Sequence, residues 1–467
     1  MDKAPTTSTG SPMQRGLHNR HIQMIALGSA IGTGLFLVSG STIQTAGPIV
    51  LLAYVVAGAV LFLIMRMLGE MAVARPIGGS FSSYAHEYWG KTAGFVVGWN
   101  WWFTCVVVSM LELTAAGTFV QFWFPDMPIW ATAAIALAAI TGANLIHVKA
   151  FGEFEFWFTL IKVAAVVAMI IFGVAIIFGA GNYNVHGLTN LWNHGGAAPK
   201  GMHGLLLSLV AVTFTFGGME SIGTTAGGVE NPERTIPKAI NQVLVRILVF
   251  YVGALGVMLV IWPWNKVGVG GSPFVMMLSG LGIGGAATVL NIVVLTATLS
   301  VFNTMAYSNA RILHSLAQTR QAPAFFARTN GRGVPVTGLL INSAITGVVV
   351  LLNYFFPGRL LMTLVTIVLC AEIVTWDSIA ISHLRFRKLG QQSSFKSPFH
   401  PFSNYLSRAY FALIVGPMTQ IPDFRDGAIA LPLWVGGLIL FSFVQRKFVQ
   451  RPSREEEPAP AVSGAEA

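Results

Sequence analysis

The chain has 467 residues, of which 54% are apolar and 10% are charged, and its net charge is +10. A soluble domain is usually about 25% charged and a disordered chain is poor in apolar residues, so the composition excludes both and predicts a polytopic all-α membrane protein. The positive charge indicates basic loops facing the cytoplasm rather than nucleic-acid binding, and the two cysteines, both inside apolar runs, argue against a disulfide framework or a thiolate metal site.

Twelve apolar stretches are about long enough to cross a bilayer. Their approximate cores, numbered here as spans 1 to 12, are 22–44, 48–70, 94–121, 129–147, 155–179, 203–226, 240–262, 273–306, 336–356, 360–382, 404–420 and 429–445. No cleavable signal is expected, because glycines interrupt the first apolar run.

Loop charges predict the orientation of these spans. With the N-terminus in the cytoplasm, 23 Lys and Arg residues lie on the cytoplasmic side and 4 lie outside. This bias predicts that both termini are cytoplasmic. We therefore expect a cytoplasmic N-terminal arm (1–20), a membrane domain (21–448) and a disordered, polar cytoplasmic tail (449–467).

Spans 1 and 6 each carry a cluster of glycines near mid-membrane, at Gly28, Gly32 and Gly34 and at Gly217 and Gly218. Glycine weakens a helix by roughly 1 kcal/mol relative to alanine. An unwound turn exposes N–H groups that suit a carboxylate and carbonyls that suit an ammonium group. Paired broken helices serve this purpose in secondary transporters. The alternative is close packing of intact helices through small residues.

Two clusters in corresponding positions favour unwinding over packing. Spans 1–5 and 6–10 then form two inverted repeats, at about 21–180 and 203–384, and spans 11 and 12 (about 404–446) are appended.

Ionisable residues inside a membrane are costly and indicate function. Lys162, in span 5, has two interpretations. When charged, it would donate hydrogen bonds to carbonyls freed at the break in span 1, and when neutral it would release them, which would link protonation to opening. Alternatively, its ammonium group reaches the cytoplasmic surface.

Four acidic residues lie inside spans, away from the span ends: Glu112 in span 3, Glu220 at the break in span 6, and Glu372 and Asp377 in span 10. Glu112 is a candidate for binding a substrate group, carrying a proton or capping a polar network. Glu220 is expected to anchor the unwound backbone. Asp377 is expected to pair with the basic run at Arg385, and the sequence assigns no role to Glu372.

Enzyme motifs are incomplete in this chain. The segment HEYWG (86–90) lacks the second histidine of a zinc-protease helix, and WGKT (89–92) lacks the first glycine of a phosphate-binding loop. We therefore expect no enzymatic activity, no cofactor and no metal.

Several segments in order along residues 15–448 resemble bacterial amino-acid permeases of the amino acid/polyamine/organocation (APC) superfamily, in its amino-acid transporter branch. They are RGL (15–17), HIQ (21–23), GSAIGTGLF (28–36), MLGEM (67–71), FGEFEFWF (151–158), ENPERTIP (230–237), SPFV (272–275) and NAR (309–311). The resemblance implies twelve helices, a five-plus-five inverted repeat with broken helices 1 and 6, and movement of an amino acid with protons.

The resemblance also implies positions for the site. The substrate carboxylate would lie at the first broken helix, at Ser29, Ala30, Ile31, Gly32, Thr33 and Gly34. The substrate ammonium and pocket would involve Phe214, Phe216, Gly217, Gly218, Glu220, Glu112 and Asn303. Phe214 would act as a gate and Lys162 as the proton-coupling group. The chain departs from the family pattern at Glu372 and Asp377, where related permeases tend to be apolar or aromatic.

The expected function is proton-coupled uptake of a neutral amino acid by alternating access at a bacterial inner membrane. Phe214 and Phe216 suggest a bulky or aromatic side chain. An exchanger or facilitator of the same fold remains an alternative, as does a transporter of cationic amino acids or polyamines. The sequence indicates no oligomeric state.

Overall fold

The computed structural model describes residues 31–77, 80–146, 151–180, 187–225, 231–268, 270–330 and 334–449. Every regular element in these ranges is helical. The predicted N-terminal arm (1–20) and all but the first residue of the predicted tail (449–467) lie outside the described residues.

Each predicted span contains helix, and the span numbers are kept below. In chain order, the helices are Gly34–Val38 (a π-turn) with Ser39–Ala46, Val50–Ala74, Lys91–Val120, Ile129–Ile146, Phe151–Ile177, Gly201–Phe214 with Ser221–Thr225, Pro232–Ile261, Gly284–Gln318, Val336–Phe355, Leu360–Lys388, Phe402–Met418 and Pro422–Val449. Two further short α-helices are Ser80–Tyr84 and Pro273–Gly280, and shorter π and 3₁₀ segments also occur, for example at Ala85–Trp89.

These helices make the chain a multi-pass membrane protein. Among the described residues, seven helical stretches are long and apolar enough to cross a membrane, and three shorter apolar helices belong to spans 4, 6 and 7. The first of the seven, Gly34–Ala74, contains the second half of span 1 and all of span 2. Span 11 falls in neither group; its helix ends at Met418, next to Pro417.

Span 8 begins later than the sequence predicts. The apolar stretch 273–306 is divided into the helix Pro273–Gly280 and the long helix Gly284–Gln318. Gly282 lies between them with φ of +79°, a left-handed conformation that commonly ends a helix. Hydropathy did not detect this turn because both flanking segments are apolar.

Span 6 is broken as predicted. Its first helix ends at Phe214, its second begins at Ser221, and a series of turns joins them. Gly218 has φ of +93°, which an L-residue with a side chain rarely adopts. The unwound segment is therefore specific to glycine at this position.

The described part of span 1 is consistent with the second predicted break. Ile31 and Gly32 form a bend, and the helix begins at Gly34. A Cβ atom added to Gly34 would lie 2.9 Å from Cα of Thr215 in span 6. The two breaks are thus in direct contact, which places them at one location in the fold.

Spans 3 and 10 occupy the interior. In the most apolar 18-residue stretch of each helix, 72% of the residues of span 3 and 78% of those of span 10 are buried. The values for spans 5 and 12 are 28% and 22%. Span 3 contacts spans 4, 8, 9, 10 and 12. Spans 3 and 10 can therefore place polar side chains in the protein interior, beside the two breaks.

A buried ion cluster joins the C-terminal end of span 2 to span 10 and the loop that follows it. Glu70 and His383 are fully buried, and their Oε2 and Nε2 atoms lie 3.0 Å apart. Arg387 approaches Glu70 at 2.6 Å, and the backbone N–H of Ser397 donates to Glu70 Oε2 at 2.6 Å. The Glu70 cluster, as we call these four residues, therefore fixes the loop against span 2.

Candidate functional site

A cavity of about 40 Å³ lies where the two breaks meet spans 3, 8 and 10. This volume can hold a few water molecules. The lining residues are Gly32, Thr33, Gly34, Trp101, Thr104, Val108, Leu111, Glu112, Phe214, Thr215, Gly217, Gly218, Glu220, Val301, Met305 and Glu372. Most of the residues predicted to bind substrate therefore come together around one space.

Glu112 lies against the beginning of the span 1 helix. The hydroxyl of Thr33 donates to Glu112 Oε2 at 2.5 Å. A Cβ atom added to Gly32 would lie 3.5 Å from the other carboxyl oxygen of Glu112. The carboxyl group is thus held beside the residues expected to receive the substrate carboxylate.

Glu220 supports the unwound turn of span 6. The backbone N–H of Gly218 donates to Glu220 Oε1 at 3.0 Å, and Nε1 of Trp376 in span 10 donates to Oε2 at 3.1 Å. The Tyr251 hydroxyl donates to the carbonyl of Thr215 at 2.7 Å. These bonds satisfy polar groups of the turn, which an unwound segment at membrane depth requires.

Phe214 and Phe216 point in different directions. Phe214 lines the cavity. Phe216 does not, and its ring instead lies 6.1 Å from that of Tyr54 and 5.4 Å from that of Tyr251. The Phe216 side chain thus packs into an aromatic cluster, and the part expected of this residue in binding the substrate ammonium stays a prediction.

Two further predicted residues lie away from the cavity, and two more fall outside the described residues. Ile31 is buried but does not line the cavity. Asn303 does not line it either, and its Oδ1 accepts a hydrogen bond from Asn144 of span 4 at 2.7 Å. Ser29 and Ala30, predicted to contact the substrate carboxylate, fall outside the described residues.

Lys162 is fully buried between spans 5 and 8, so its ammonium group does not reach a surface. It donates to Ser300 Oγ at 3.1 Å, and Ser300 in turn donates to Glu155 Oε2 at 2.7 Å. The ammonium group lies 3.9 Å from Glu155 Oε1. The sequence interpretation missed Ser300 and Glu155, although Glu155 precedes Lys162 by two helical turns and so shares its helix face.

Span 10 contributes an acid that sequence reasoning left without a role. Glu372 lines the cavity and is 3% exposed. Asp377 lies away from it and pairs with Arg408 at 2.9 Å, rather than with Arg385, which donates to the carbonyl of Trp89. The sequence does not distinguish the two acids, because helix packing decides that Glu372 lines the cavity and that Asp377 lies outside it.

In the described part of the chain, no group of three or more His, Cys, Asp and Glu side chains is arranged to hold a metal ion. The cavity instead combines helix-terminal backbone, carboxyl groups and aromatic or aliphatic walls. This combination suits a small zwitterion with an apolar side chain.

Comparison with known proteins agrees with this chemistry. The family model described as amino acid permease matches residues 21–430. The aromatic amino acid transport protein AroP of Escherichia coli K12 is 46% identical over 430 residues, which cover 91% of this chain and 94% of AroP. AroP of Salmonella typhimurium LT2 gives the same values. The uncharacterized amino acid permease YtnA of Bacillus subtilis is 46% identical over 429 residues, 90% of this chain and 93% of YtnA.

Proposed function

The chain belongs to the amino acid permease family, and from this premise we propose that it takes up an aromatic amino acid together with protons. The observation that carries the proposal is the cavity between the two breaks, which pairs backbone suited to a zwitterion with apolar and aromatic walls. The relatives named as aromatic amino acid transporters support the choice of side-chain class.

The substrate carboxylate binds at the start of the span 1 helix. The first N–H groups of a helix have no intrahelical partner, and the helix dipole favours a negative charge there. Gly32 and Gly34 line this end of the cavity and leave the backbone accessible. The substrate ammonium binds at the unwound turn of span 6, where Glu220 adds negative charge.

Phe214 acts as the gate. It lies at the end of the first span 6 helix and is 7% exposed at the cavity. An aromatic amino acid is several times larger than the few water molecules that the cavity holds. Binding therefore requires Phe214 and the surrounding helices to move, as alternating access demands.

Proton coupling involves Lys162 and Glu112. Lys162 links spans 5 and 8 through Ser300 and Glu155, and Glu112 bonds the break in span 1 through Thr33. A change of protonation at either residue would alter bonds between helices that must separate during transport. The bias of basic residues among the loops supports a bacterial inner membrane with both termini in the cytoplasm.

Uptake into proteoliposomes tests the proposal. Labelled phenylalanine is supplied outside, with and without an inward proton gradient, in competition with each of the twenty amino acids. We expect uptake to rise with the gradient and to be blocked by tyrosine and tryptophan. Competition confined to cationic or small amino acids would contradict the substrate class. Uptake that does not depend on the proton gradient but rises with the concentration of internal amino acid would identify an exchanger.

A further inference from the structure

Glu372 occupies space that exists only because residue 217 is a glycine. A Cβ atom added to Gly217 would overlap the Glu372 carboxyl group and lie 2.6 Å from its Cδ. Both residues line the cavity. The carboxyl group therefore rests directly against the unwound turn of span 6, at the wall supplied by span 10.

The Glu372 carboxyl group differs from the two other acids of the cavity in its hydrogen bonding. Glu112 receives a bond from Thr33, and Glu220 receives bonds from Gly218 and Trp376. The Oε2 atom of Glu372 is buried and has no hydrogen-bond partner within the described ranges. A buried acceptor without a partner is unfavourable unless a ligand supplies the donor.

This donor is assigned to the substrate side chain, because Glu220 and the turn of span 6 are already assigned to the substrate ammonium. In the proposed function, the two breaks bind the substrate carboxylate and ammonium. The side chain then faces the remaining walls, which are Trp101, Thr104, Val108, Leu111, Val301, Met305 and Glu372. These walls are mainly apolar, with one unpartnered carboxyl oxygen among them.

An aromatic ring with a single N–H or O–H group matches these walls. The indole of tryptophan and the phenol of tyrosine each carry one donor, whereas an alkylammonium carries three and a guanidinium five. A cationic side chain would leave most of its donors unpaired against apolar residues, which is costly.

We propose that Glu372 is a specificity-determining residue that accepts a hydrogen bond from the N–H or O–H donor on the ring of an aromatic substrate. This inference rests on the proposed function and refines its substrate class. Tryptophan and tyrosine are then favoured over phenylalanine, because a site built to bond a substrate donor discriminates against analogues that lack it.

Substitution of Glu372 tests the inference in proteoliposomes. Wild type, E372Q and E372L are compared for kcat/KM with phenylalanine, tyrosine and tryptophan. E372L is expected to lower kcat/KM for tyrosine and tryptophan at least about tenfold relative to kcat/KM for phenylalanine. E372Q retains a carbonyl acceptor and is expected to keep most of the preference.

D377N is the matched control, since Asp377 lies on the same helix and pairs with Arg408 outside the cavity. It is expected to change none of the three values. An equal loss for all three substrates in E372L would show that Glu372 does not distinguish their side chains and would overturn the inference. Stronger transport of lysine or arginine than of tryptophan by the wild type would overturn it as well.

Ligand analogues give a second test that needs no variant. Tryptophan is compared with 3-benzothienylalanine, in which sulfur replaces the indole N–H, as a competitor of phenylalanine uptake by the wild type. The analogue is expected to compete about tenfold less well. Equal competition would overturn the inference while leaving aromatic transport intact, whereas absence of any aromatic uptake would contradict the proposed function itself.

Discussion

Gly34 sets how closely the two breaks approach each other. A Cβ atom at this position would lie 2.9 Å from Cα and 3.3 Å from the carbonyl oxygen of Thr215. These are backbone atoms and cannot rotate away. The G34A substitution is therefore expected to lower kcat/KM for phenylalanine at least about tenfold, because it separates helices that bind one ligand.

Gly142 in span 4 provides the matched control for this prediction, since a Cβ atom there meets nothing within 4 Å. G142A is expected to transport at the wild-type rate. Wild-type transport by G34A, measured on protein that elutes as a single species, would show that the close approach of spans 1 and 6 is not required.

The contact between Gly217 and Glu372 predicts a coupled pair of substitutions. G217A alone is expected to lower the melting temperature, because the new methyl group overlaps the carboxyl group. In the E372A background the same change is expected to cost little. Residues in direct contact commonly show interaction energies of about 0.5–3 kcal/mol.

G218A separates this packing effect from backbone strain. Gly218 has a positive φ, so alanine at this position is strained whatever stands at residue 372. E372A is expected to rescue G217A and not G218A. Equal losses for G217A with and without Glu372 would mean that the carboxyl group does not occupy the space beside the turn.

Some of the site was predictable at the residue scale and some was not. Glycine clusters and charges inside apolar stretches are visible in the order of residues, and they identified Gly32, Gly34 and Glu112. The unwound turn has no helical periodicity, so the sequence did not reveal that Phe216 points away from the cavity. The role proposed for Glu372 depends on its packing against Gly217. These two residues are far apart in the chain, so the sequence does not reveal their contact.

The Glu70 cluster predicts how the elements around span 2 are stabilised. Glu70 is fully buried and is bonded by His383, Arg387 and the backbone of Ser397. E70Q is expected to destabilise the protein by about 1.5–3 kcal/mol, because it replaces hydrogen bonds to a charged carboxylate and removes the counter-charge of Arg387, which is 23% exposed. Thermal unfolding in detergent measures this loss.

D377N serves again as the control at this scale. Asp377 and Arg408 are 32% and 41% exposed, and such surface pairs contribute about 0–1 kcal/mol. A melting temperature for E70Q as high as that of D377N would contradict a stabilising role for the cluster.

The sequence predicted where most helices lie, but it did not predict all of their ends. Each stretch selected by apolar length contains helix, because a chain that crosses a bilayer must satisfy its backbone internally. The same criterion joined Pro273–Gly280 to span 8 and missed the turn at Gly282, since hydropathy is insensitive to a left-handed glycine between apolar segments.

At the scale of the whole molecule, Lys162 is expected to couple proton movement to helix movement. It is bonded across spans 5 and 8 through Ser300 and Glu155. K162A is expected to abolish the dependence of uptake on a proton gradient and to retain exchange of internal for external amino acid. Retained exchange also demonstrates that the variant is folded.

Loss of both uptake and exchange in K162A, in protein that unfolds at a lower temperature, would assign Lys162 a structural role. The sequence predicted that Lys162 matters but not with which residues, because the contact between spans 5 and 8 depends on packing of the complete bundle.

The pH inside proteoliposomes, recorded with a trapped dye while phenylalanine is added outside, tests the central claim most directly. No proton gradient is imposed, so any pH change comes from transport. We predict that the interior becomes acidic on addition of phenylalanine, tyrosine or tryptophan, and that K162A shows no change. Uptake of labelled phenylalanine without acidification would contradict proton-coupled transport, and absence of any response or uptake would contradict the aromatic substrate class.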